Sequence, residues 1–165
     1  MKSFCIIGMT GTGKTTEAKN LLRSFPHSKK LIYDINSEYS EFTNGEKLPT
    51  IQEFIKTASV ANNSIILFEE ATIFFSNKKR FEDLVDLLVR KRHTNNIIIF
   101  VFHYIAAVPK DIKTMIDFFY IKKTNDDFQD VKKKFKKSAE WLLKEIEEGS
   151  KENPYFCLKV KGSDL

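Results

Sequence analysis

The sequence has few of the residues that mark secreted or membrane proteins. Only two of its 165 residues are cysteines, Cys5 and Cys157, and they form no C-x-x-C pair. A disulfide scaffold is therefore not expected, and buried, reduced thiols are the default. No basic N-terminal region precedes a long apolar one, and no window approaches 18 apolar residues. These absences predict neither a signal peptide nor a membrane span, and hence a soluble protein that is not secreted.

Arginine is also scarce. The formal charge is +5, and its basic excess is almost entirely lysine; arginine occurs only as Arg23, Arg80, Arg90 and Arg92. The charge permits contact with nucleic acid, although a lysine-rich genome composition would produce it as well. Three of the arginines fall within residues 80–92. A planar, always-charged donor in one short window indicates a use beyond net charge.

Near the N-terminus, one segment fits the phosphate-binding pattern G-x-x-x-x-G-K-[ST] at every fixed position; its residues are Gly8, Met9, Thr10, Gly11, Thr12, Gly13, Lys14 and Thr15. Residues 4–7 before it are typical of a buried strand, and residues 15–23 after it, including Thr16, are good helix formers. Such a Walker A loop wraps phosphates with backbone N–H groups at the N-terminus of a helix. Lys14 is expected to reach the β and γ phosphates of ATP, and Thr15 to offer its hydroxyl to Mg²⁺.

Beyond the loop, apolar strands alternate with amphipathic helices. The pattern predicts strands at residues 30–34, 64–68, 96–102 and 117–122, and helices at residues 51–58 and 81–92. We expect one α/β domain, residues 1–165, with a mostly parallel sheet of five or six strands flanked by helices and a site at the carboxyl edge of the sheet.

The C-terminal third is predicted to contain one long helix over residues 126–148, which Gly149 ends, and an edge strand over residues 154–160. The helix carries a run of lysines on its outer face, at positions 132–134, 136 and 137. That run is either a solvated helix face or a contact for a polyanion.

Two adjacent carboxylates, Glu69 and Glu70, follow directly after the apolar run at residues 64–68. The first can hold Mg²⁺ directly or through water, and the second can orient and deprotonate the water that attacks the γ phosphate. This pair predicts hydrolysis, since an activated water would waste the nucleotide of a kinase. The alternative is a salt-bridged or solvated pair without a catalytic role.

Three segments together resemble the HerA and FtsK superfamily of ring-forming, DNA-pumping ATPases. Residues 34–39, Asp-Ile-Asn-Ser-Glu-Tyr, look like its D-x-x-x-E-Y element; residues 66–71 look like its Walker B segment; and residues 88–93, followed by a strand and His103, resemble the stretch that leads to its fourth strand. The resemblance runs from residue 3 to about residue 122. The compact size is most similar to the genome-packaging ATPases of viruses with double jelly-roll capsids.

The resemblance implies a RecA-like P-loop NTPase core of the ASCE type, in which the strand ending at His103 lies between the P-loop strand and the Walker B strand. It also implies roles for particular residues. Glu69 stands where the family usually has aspartate, and His103 where glutamine or asparagine senses the γ phosphate, so a neutral imidazole would serve as the donor. Arg92 fits the trans-acting arginine best, with Arg90 and Arg80 behind it. The alternatives are an ordinary histidine at a sheet edge and a solvated helix face.

We therefore expect an ATP-hydrolysing, Mg²⁺-dependent motor subunit that forms a homo-oligomeric ring and moves viral DNA. Capsid vertex proteins are candidate partners, and the host cytoplasm or the virion is the expected location. Two other functions remain open. A small-molecule kinase would need an arginine-bearing lid over the transferred phosphate. A nucleotide-gated export or morphogenesis component, resembling the zonula-occludens-toxin group, would bind ATP without turnover.

Overall fold

The computed structural model describes residues 1–25, 29–43 and 48–165. Its strands are β1 (Ser3–Ile7), β2 (Lys29–Tyr33), β3 (Ser64–Phe68), β4 (Ile97–Phe102), β5 (Phe118–Ile121) and β6 (Leu158–Lys161). Its α-helices are α1 (Lys14–Ser24), α2 (Ser40–Thr43), α3 (Ile51–Ser59), α4 (Lys78–Arg90), α5 (Lys110–Lys113), α6 (Phe128–Phe135) and α7 (Ala139–Glu152). Short 3₁₀ helices occupy Ala71–Phe74, Ile105–Ala107, Lys136–Ser138 and Gly162–Asp164.

The strands form one six-stranded sheet in the order β2-β3-β4-β1-β5-β6. The first five are parallel, and β6 pairs antiparallel with β5 at the edge. The end of β1 is flanked on both sides, because Ile7 pairs with Phe102 of β4 and with Ile121 of β5. The sheet confirms the mixed, mostly parallel α/β class, and β4 lies between β1 and β3 as the resemblance implied.

Side chains of the sheet alternate between two apolar cores because successive residues of a strand face opposite sides. Cys5 and Ile7 of β1 join the core that α3, α4, α6 and α7 cover, whereas Phe4 and Ile6 pack toward α1. All residues of β1, β3 and β4 are buried. The central strands are therefore held from both faces and provide a rigid base for the loops at their ends.

The predicted long helix over residues 126–148 is wrong, because the chain forms two helices, α6 and α7. The break lies at Lys136, whose backbone has φ 46° and ψ −111° and cannot continue a helix. Val131 and Phe135 of α6 and Leu142 and Ile146 of α7 all reach the same core. The bend thus lets both short helices bury their apolar faces, which the periodicity of the sequence alone does not distinguish from one long helix.

Gly149 does not end a helix either, since α7 continues to Glu152. A Cβ at Gly149 would come within 2.6 Å of the Phe156 ring. Glycine at this position therefore allows the chain after α7 to fold back with an aromatic ring against the helix. That return displaces the last strand, which begins at Leu158 instead of residue 154.

A buried lysine joins three elements at the amino edge of the sheet, opposite the end of β1 that carries Gly8. Lys91 follows α4, and its Nζ donates to Ser3 Oγ at 2.6 Å, to Met115 O at 3.0 Å and to Asp117 Oδ2 at 2.7 Å. Asp117 Oδ2 also accepts from the Ser3 backbone N–H at 2.7 Å. This cluster fixes the turn between α4 and β4 to the beginning of β1.

No helix of the described residues is long and apolar enough to cross a bilayer.

Candidate functional site

The predicted phosphate loop, carboxylates and histidine meet at the carboxyl edge of the sheet, and Lys122 joins them there. Gly8 follows β1, Glu69 follows β3, His103 follows β4 and Lys122 follows β5. Parallel strands bring their carboxyl ends to one edge, and the order β3-β4-β1-β5 makes these ends neighbours. One surface thus combines the glycine-rich loop, two acidic residues, a histidine and two lysines.

The loop after β1 has the conformation that phosphate binding requires. Gly11 and Gly13 both have φ 82°, a left-handed conformation that other residues rarely adopt. Gly8 is needed for space, because a Cβ there would lie 2.7 Å from Thr12 Oγ1 and 2.8 Å from Lys122 Cβ. The loop closes on itself through Thr12 Oγ1, which donates to Met9 O at 2.8 Å. This is the loop conformation in which backbone N–H groups at the start of a helix can bind phosphate.

Lys14 lies inside this loop and is nearly buried. Its Nζ donates to Met9 O at 3.1 Å and lies 3.5 Å from His103 Nδ1. Burial lowers the pKa of Lys14, while Glu69 and Glu70 oppose that effect. The ammonium has weak partners for a buried charge, and an anionic ligand would supply the strong one.

His103 bridges Lys14 and Glu70. Its Nε2 contacts Glu70 Oε1, and its Nδ1 faces the Lys14 ammonium. An ammonium has no lone pair to offer, so Nδ1 must act as the acceptor and the ring proton then lies on Nε2, which donates to the carboxylate. This arrangement directs the Nε2–H of the ring at the Glu70 carboxylate.

Glu69 is buried and is held by a tyrosine of the D-x-x-x-E-Y element. Tyr39 OH, itself fully buried, donates to Glu69 Oε2 at 2.6 Å. Burial raises the pKa of Glu69 to about 6, against the lowering effect of the Tyr39 hydrogen bond; Glu38 and Glu70 raise it further. The carboxylate is therefore preorganised but electrostatically unfavourable until a cation neutralises it.

The turn after β2 positions Glu38 beside the loop. Asp34 accepts from the backbone N–H groups of Glu38 and Tyr39 at 2.9 and 2.8 Å, and Glu38 Oε2 accepts from Thr15 Oγ1 at 3.0 Å. Among the described residues, no group of three or more His, Cys, Asp and Glu side chains could hold a metal ion. Mg²⁺ is usually bound through one or two protein oxygens together with substrate phosphates. Thr15 and Glu69, with Glu38 nearby, fit that donor set.

Glu70 has a left-handed backbone conformation, φ 52° and ψ 50°. Such a conformation is uncommon for glutamate and costs of the order of 1 kcal/mol or more. It turns the chain sharply after Glu69, so that Glu70 faces His103 while Glu69 faces Tyr39. The two adjacent carboxylates thus have different surroundings.

The structure does not bring Arg90 and Arg92 to this site. Helix α4 starts after the loop that follows β3 and ends before β4, so Arg90 and Arg92 lie near the opposite, amino edge of the sheet. Arg90 is engaged within the chain, because its Nε lies 2.9 Å from Asp86 Oδ2 and its Nη2 donates to Ser59 O at 2.9 Å. Arg92 is exposed and makes no ion pair or hydrogen bond to the described residues.

Arg80 lies at the other end of α4. Its Nη1 donates to Ile73 O at 3.4 Å, and the residue lines a cavity of about 490 Å³ between α3 and α4. None of the three arginines contacts the phosphate loop, Glu69, Glu70 or His103 among the described residues. Of the three candidates, Arg92 is the one whose side chain has no partner in this part of the chain.

Two residues of the site were not predicted from the sequence, Lys122 and Tyr155. Lys122 lies at the same sheet edge as His103, because each follows directly after a strand. Its position at the end of a predicted strand could have indicated from the sequence that it belongs to the site. Tyr155 approaches the loop from a segment that is 142 residues away from Gly13 in the chain. No sequence pattern indicated that contact.

Comparisons with known proteins agree with this geometry. The sequence matches the model of the family described as the central domain of helicase HerA over residues 1–155. No curated protein sequence matches the chain.

Solved structures share the fold. The DNA-packaging ATPase from Sulfolobus turreted icosahedral virus is similar with a TM-score of 0.73 at 16% identity, over 99% of this chain and 93% of that chain. The genome packaging NTPase from Sulfolobus turreted icosahedral virus 2, in complex with AMPPCP, gives a TM-score of 0.76 at 16% identity, over 99% and 93% of the two chains. The N-terminal domain of zonular occludens toxin from Neisseria meningitidis gives 0.53 at 17% identity, over 76% and 78%. The RecA-like P-loop fold expected from the sequence is thereby confirmed.

Proposed function

Because the chain belongs to the family of the helicase HerA central domain, we propose that it is an ATP-hydrolysing subunit of a ring that moves DNA, of the kind that packages viral genomes. One observation carries the proposal: the phosphate loop, Glu69, Glu70 and His103 meet at one sheet edge although they come from three separate parts of the sequence. The family match and the likeness to viral packaging ATPases support the same direction.

In the proposed reaction, the loop at residues 8–16 holds the triphosphate through its backbone N–H groups and through Lys14. Thr15 and Glu69 would hold Mg²⁺, which would neutralise phosphate charge when bound. Glu70 accepts a proton from the attacking water, and His103 donates from Nε2 to keep that carboxylate oriented. When the γ phosphate is present, the Nε2–H would have to leave Glu70 to donate to it, and this exchange would be the sensor role expected for His103.

The proposed ring would supply an arginine that does not contact the phosphate loop within the described part of one chain. Phosphoryl transfer in related systems gains on the order of 10³ or more in rate from a guanidinium at the developing charge. Arg92, exposed at the opposite edge of the sheet, is the proposed donor to a neighbouring subunit, with Arg90 and Arg80 as the other candidates. A homo-oligomer in which the arginine of one subunit meets the loop of the next would complete each site.

DNA is the proposed substrate of the motor. The net charge of +5 and the exposed lysines are compatible with a polyanion, and the similar viral proteins are described as packaging a genome. Capsid vertex proteins are the proposed docking partners, and the virion or the host cytoplasm the proposed location. Both belong to the genome-packaging part of the proposal.

The test is the steady-state ATPase rate of the purified chain with and without double-stranded DNA, in the presence of Mg²⁺. We expect turnover that rises faster than linearly with protein concentration, that DNA raises further, and that added salt lowers by competing at the DNA phosphates. Lys14→Ala serves as the blank. A chain that hydrolyses ATP with no response to DNA would contradict the translocase but retain the ATPase.

A second candidate function is a nucleotide-gated export or morphogenesis component. The fold likeness to the N-terminal domain of zonular occludens toxin favours keeping it. That function needs ATP binding without sustained turnover. Nucleotide binding combined with no detectable hydrolysis at any protein concentration, with or without DNA, would favour it over the motor.

A further inference from the structure

We propose that Lys122 and Tyr155 form the nucleoside side of the binding site, in which Tyr155 stacks on the base and Lys122 binds the phosphates opposite Lys14. This inference rests on the proposed function, because it requires a nucleotide in the loop at residues 8–16. It adds the residues that hold the nucleoside part of that nucleotide, with the base held by stacking.

Lys122 is a buried cation that lacks a counterion. Only 3% of its surface is exposed, and its Nζ donates to a single described partner, Tyr155 O, at 3.0 Å. No carboxylate of the described residues pairs with it. An ammonium removed from water without an anion is costly, and Nζ lies 3.8 Å from the place of a Cβ on Gly13, next to the phosphate loop. A phosphate would be the missing anion.

The charge of Lys122 affects Lys14, which lies within the phosphate loop. It contributes to the lowered pKa of Lys14, after the larger effect of burial. Two ammonium groups beside the same loop repel each other in the free protein. A polyphosphate between them would convert that repulsion into two favourable contacts.

Tyr155 is an exposed aromatic side chain on a backbone that is held in place. It is 63% exposed, and its Cδ1 lies 3.4 Å from the Cβ position of Gly13, where α1 begins. The backbone around it is held, because Tyr155 N donates to Asn153 Oδ1 at 2.9 Å and Phe156 N donates to Asn153 O at 2.9 Å. Phe156 packs on Gly149, so of the two adjacent rings only Tyr155 stays open to a ligand. A ring held in this way is preorganised for stacking.

The direction of the nucleotide follows from the sheet order. Glu69, Glu70 and His103 belong to the β3 and β4 side of β1, so the γ phosphate must point to that side. Lys122 and Tyr155 belong to the β5 and β6 side. The α phosphate and the nucleoside therefore extend toward Tyr155, where the open ring lies.

The experiment compares a ligand that has a base with one that lacks it. ADP and pyrophosphate are titrated by calorimetry into the full chain and into Tyr155→Ala, Tyr155→Phe, Lys122→Met and Lys122→Arg. Trp141→Ala is the matched control, since Trp141 is also an exposed aromatic residue, on α7. We expect Tyr155→Ala to weaken ADP roughly tenfold, as loss of stacking on a base does, and to leave pyrophosphate unchanged. Tyr155→Phe and Trp141→Ala should bind both ligands as the wild type does.

Lys122→Met should weaken ADP and pyrophosphate alike, and Lys122→Arg should restore part of both affinities. The stacking role is overturned if Tyr155→Ala binds ADP normally, or if it loses pyrophosphate to the same degree as ADP, because the tyrosine would then only support the loop. Unchanged affinities in folded Lys122→Met would remove Lys122 from the site. A wild-type chain that binds neither ligand would instead refute the nucleotide site of the proposed function.

Discussion

Glu69 and Glu70 are neighbours in the chain with opposite surroundings, and this difference separates their roles. Glu69 is buried against Tyr39, whereas Glu70 is partly exposed and contacts His103. The left-handed backbone at Glu70 produces the divergence. A carboxylate held by a tyrosine deep in the site suits a stationary cation, and one that contacts a histidine at the surface suits a water molecule.

We expect Glu70→Gln to bind ATP with Mg²⁺ but to hydrolyse it at least ~10²-fold more slowly, the usual effect of losing a general base. Glu69→Gln should instead weaken Mg²⁺-dependent ATP binding, because an amide replaces the anionic ligand. Calorimetry at several Mg²⁺ concentrations and single-turnover hydrolysis measure the two effects. Exchanged phenotypes would reverse the assignment.

The raised pKa of Glu69 predicts a pH dependence of stability. The group has a pKa of about 6 in the folded chain and 4.5 as its ordinary value, so between these values the folded state retains a proton that the unfolded state has lost. The free energy of unfolding of the ligand-free chain should therefore fall as pH rises through this window, by about 1 to 2 kcal/mol. Glu69→Gln keeps the Tyr39 partner and removes the buried charge, so this contribution should vanish.

Urea unfolding of both chains at a series of pH values from 4 to 7.5 measures this difference. If the free energies of unfolding of the two chains change with pH by the same amount over the whole range, Glu69 does not have a raised pKa. With Mg²⁺ and nucleotide present, the pH dependence should reverse, because the metal requires the ionised carboxylate. The wild type should then bind Mg²⁺ and nucleotide more strongly as pH rises through about 6.

Among individual residues, the sequence predicted those that a local sequence motif identifies. The loop at residues 8–16 and the carboxylates at the end of a strand need only neighbouring residues to be recognised. Lys122 and Tyr155 depend on a fold in which the chain returns after α7 to pack beside Gly13. Such a contact is made by tertiary structure, so the sequence around either residue carries little trace of it.

Among the secondary-structure elements, the bend at Lys136 is the clearest case in which local preference yields to packing. Its φ of 46° with ψ of −111° lies in a region that glycine adopts readily and lysine does not. The chain accepts this strain because α6 and α7 both bury apolar faces against the sheet. The apolar periodicity continues across the bend, and for that reason the sequence predicted one helix.

Lys136→Gly should therefore stabilise the protein by roughly 1 kcal/mol, since glycine removes the strain at this position. Lys137→Gly is the matched control, because Lys137 is the adjacent lysine and lies within the 3₁₀ turn. The control should be neutral or destabilising by up to about 1 kcal/mol. Urea unfolding at one pH compares the two; equal effects of both substitutions would contradict strain at Lys136.

For the whole molecule, the separation of Arg92 from the loop makes a prediction about mixed assemblies. Lys14→Ala should be inactive because it lacks the phosphate cation, and Arg92→Ala because it lacks the donor to its neighbour. In a mixed ring, some interfaces place an intact loop against an intact arginine, so mixing the two variants should restore part of the ATPase activity. An arginine that acts within its own chain cannot be complemented in this way.

The control replaces Arg92→Ala with Arg23→Ala, whose guanidinium pairs with Glu41 on the surface. That variant should be active alone, so mixing it with Lys14→Ala should produce no gain beyond its own activity. If mixed rings form, as shown by light scattering or crosslinking, and the Lys14→Ala and Arg92→Ala mixture stays inactive at every ratio, Arg92 is not the trans donor. Arg90 and Arg80 would then be tested in turn.

Lys91, the buried lysine at the amino edge of the sheet, has a consequence for the order in which subunits hydrolyse ATP. Strand β1 carries the phosphate loop at one end and, at the other, Ser3, which the Lys91 ammonium holds beside Asp117. Lys91 is the chain neighbour of Arg92. Five buried residues in an extended strand form a stiff rod of about 17 Å, so a displacement of the loop by ATP or its products would be passed to the backbone that presents the arginine. In the proposed ring, the nucleotide bound in one subunit would then affect the position of Arg92 at the site of the next subunit. Hydrolysis would occur sequentially around the ring and not independently at each site.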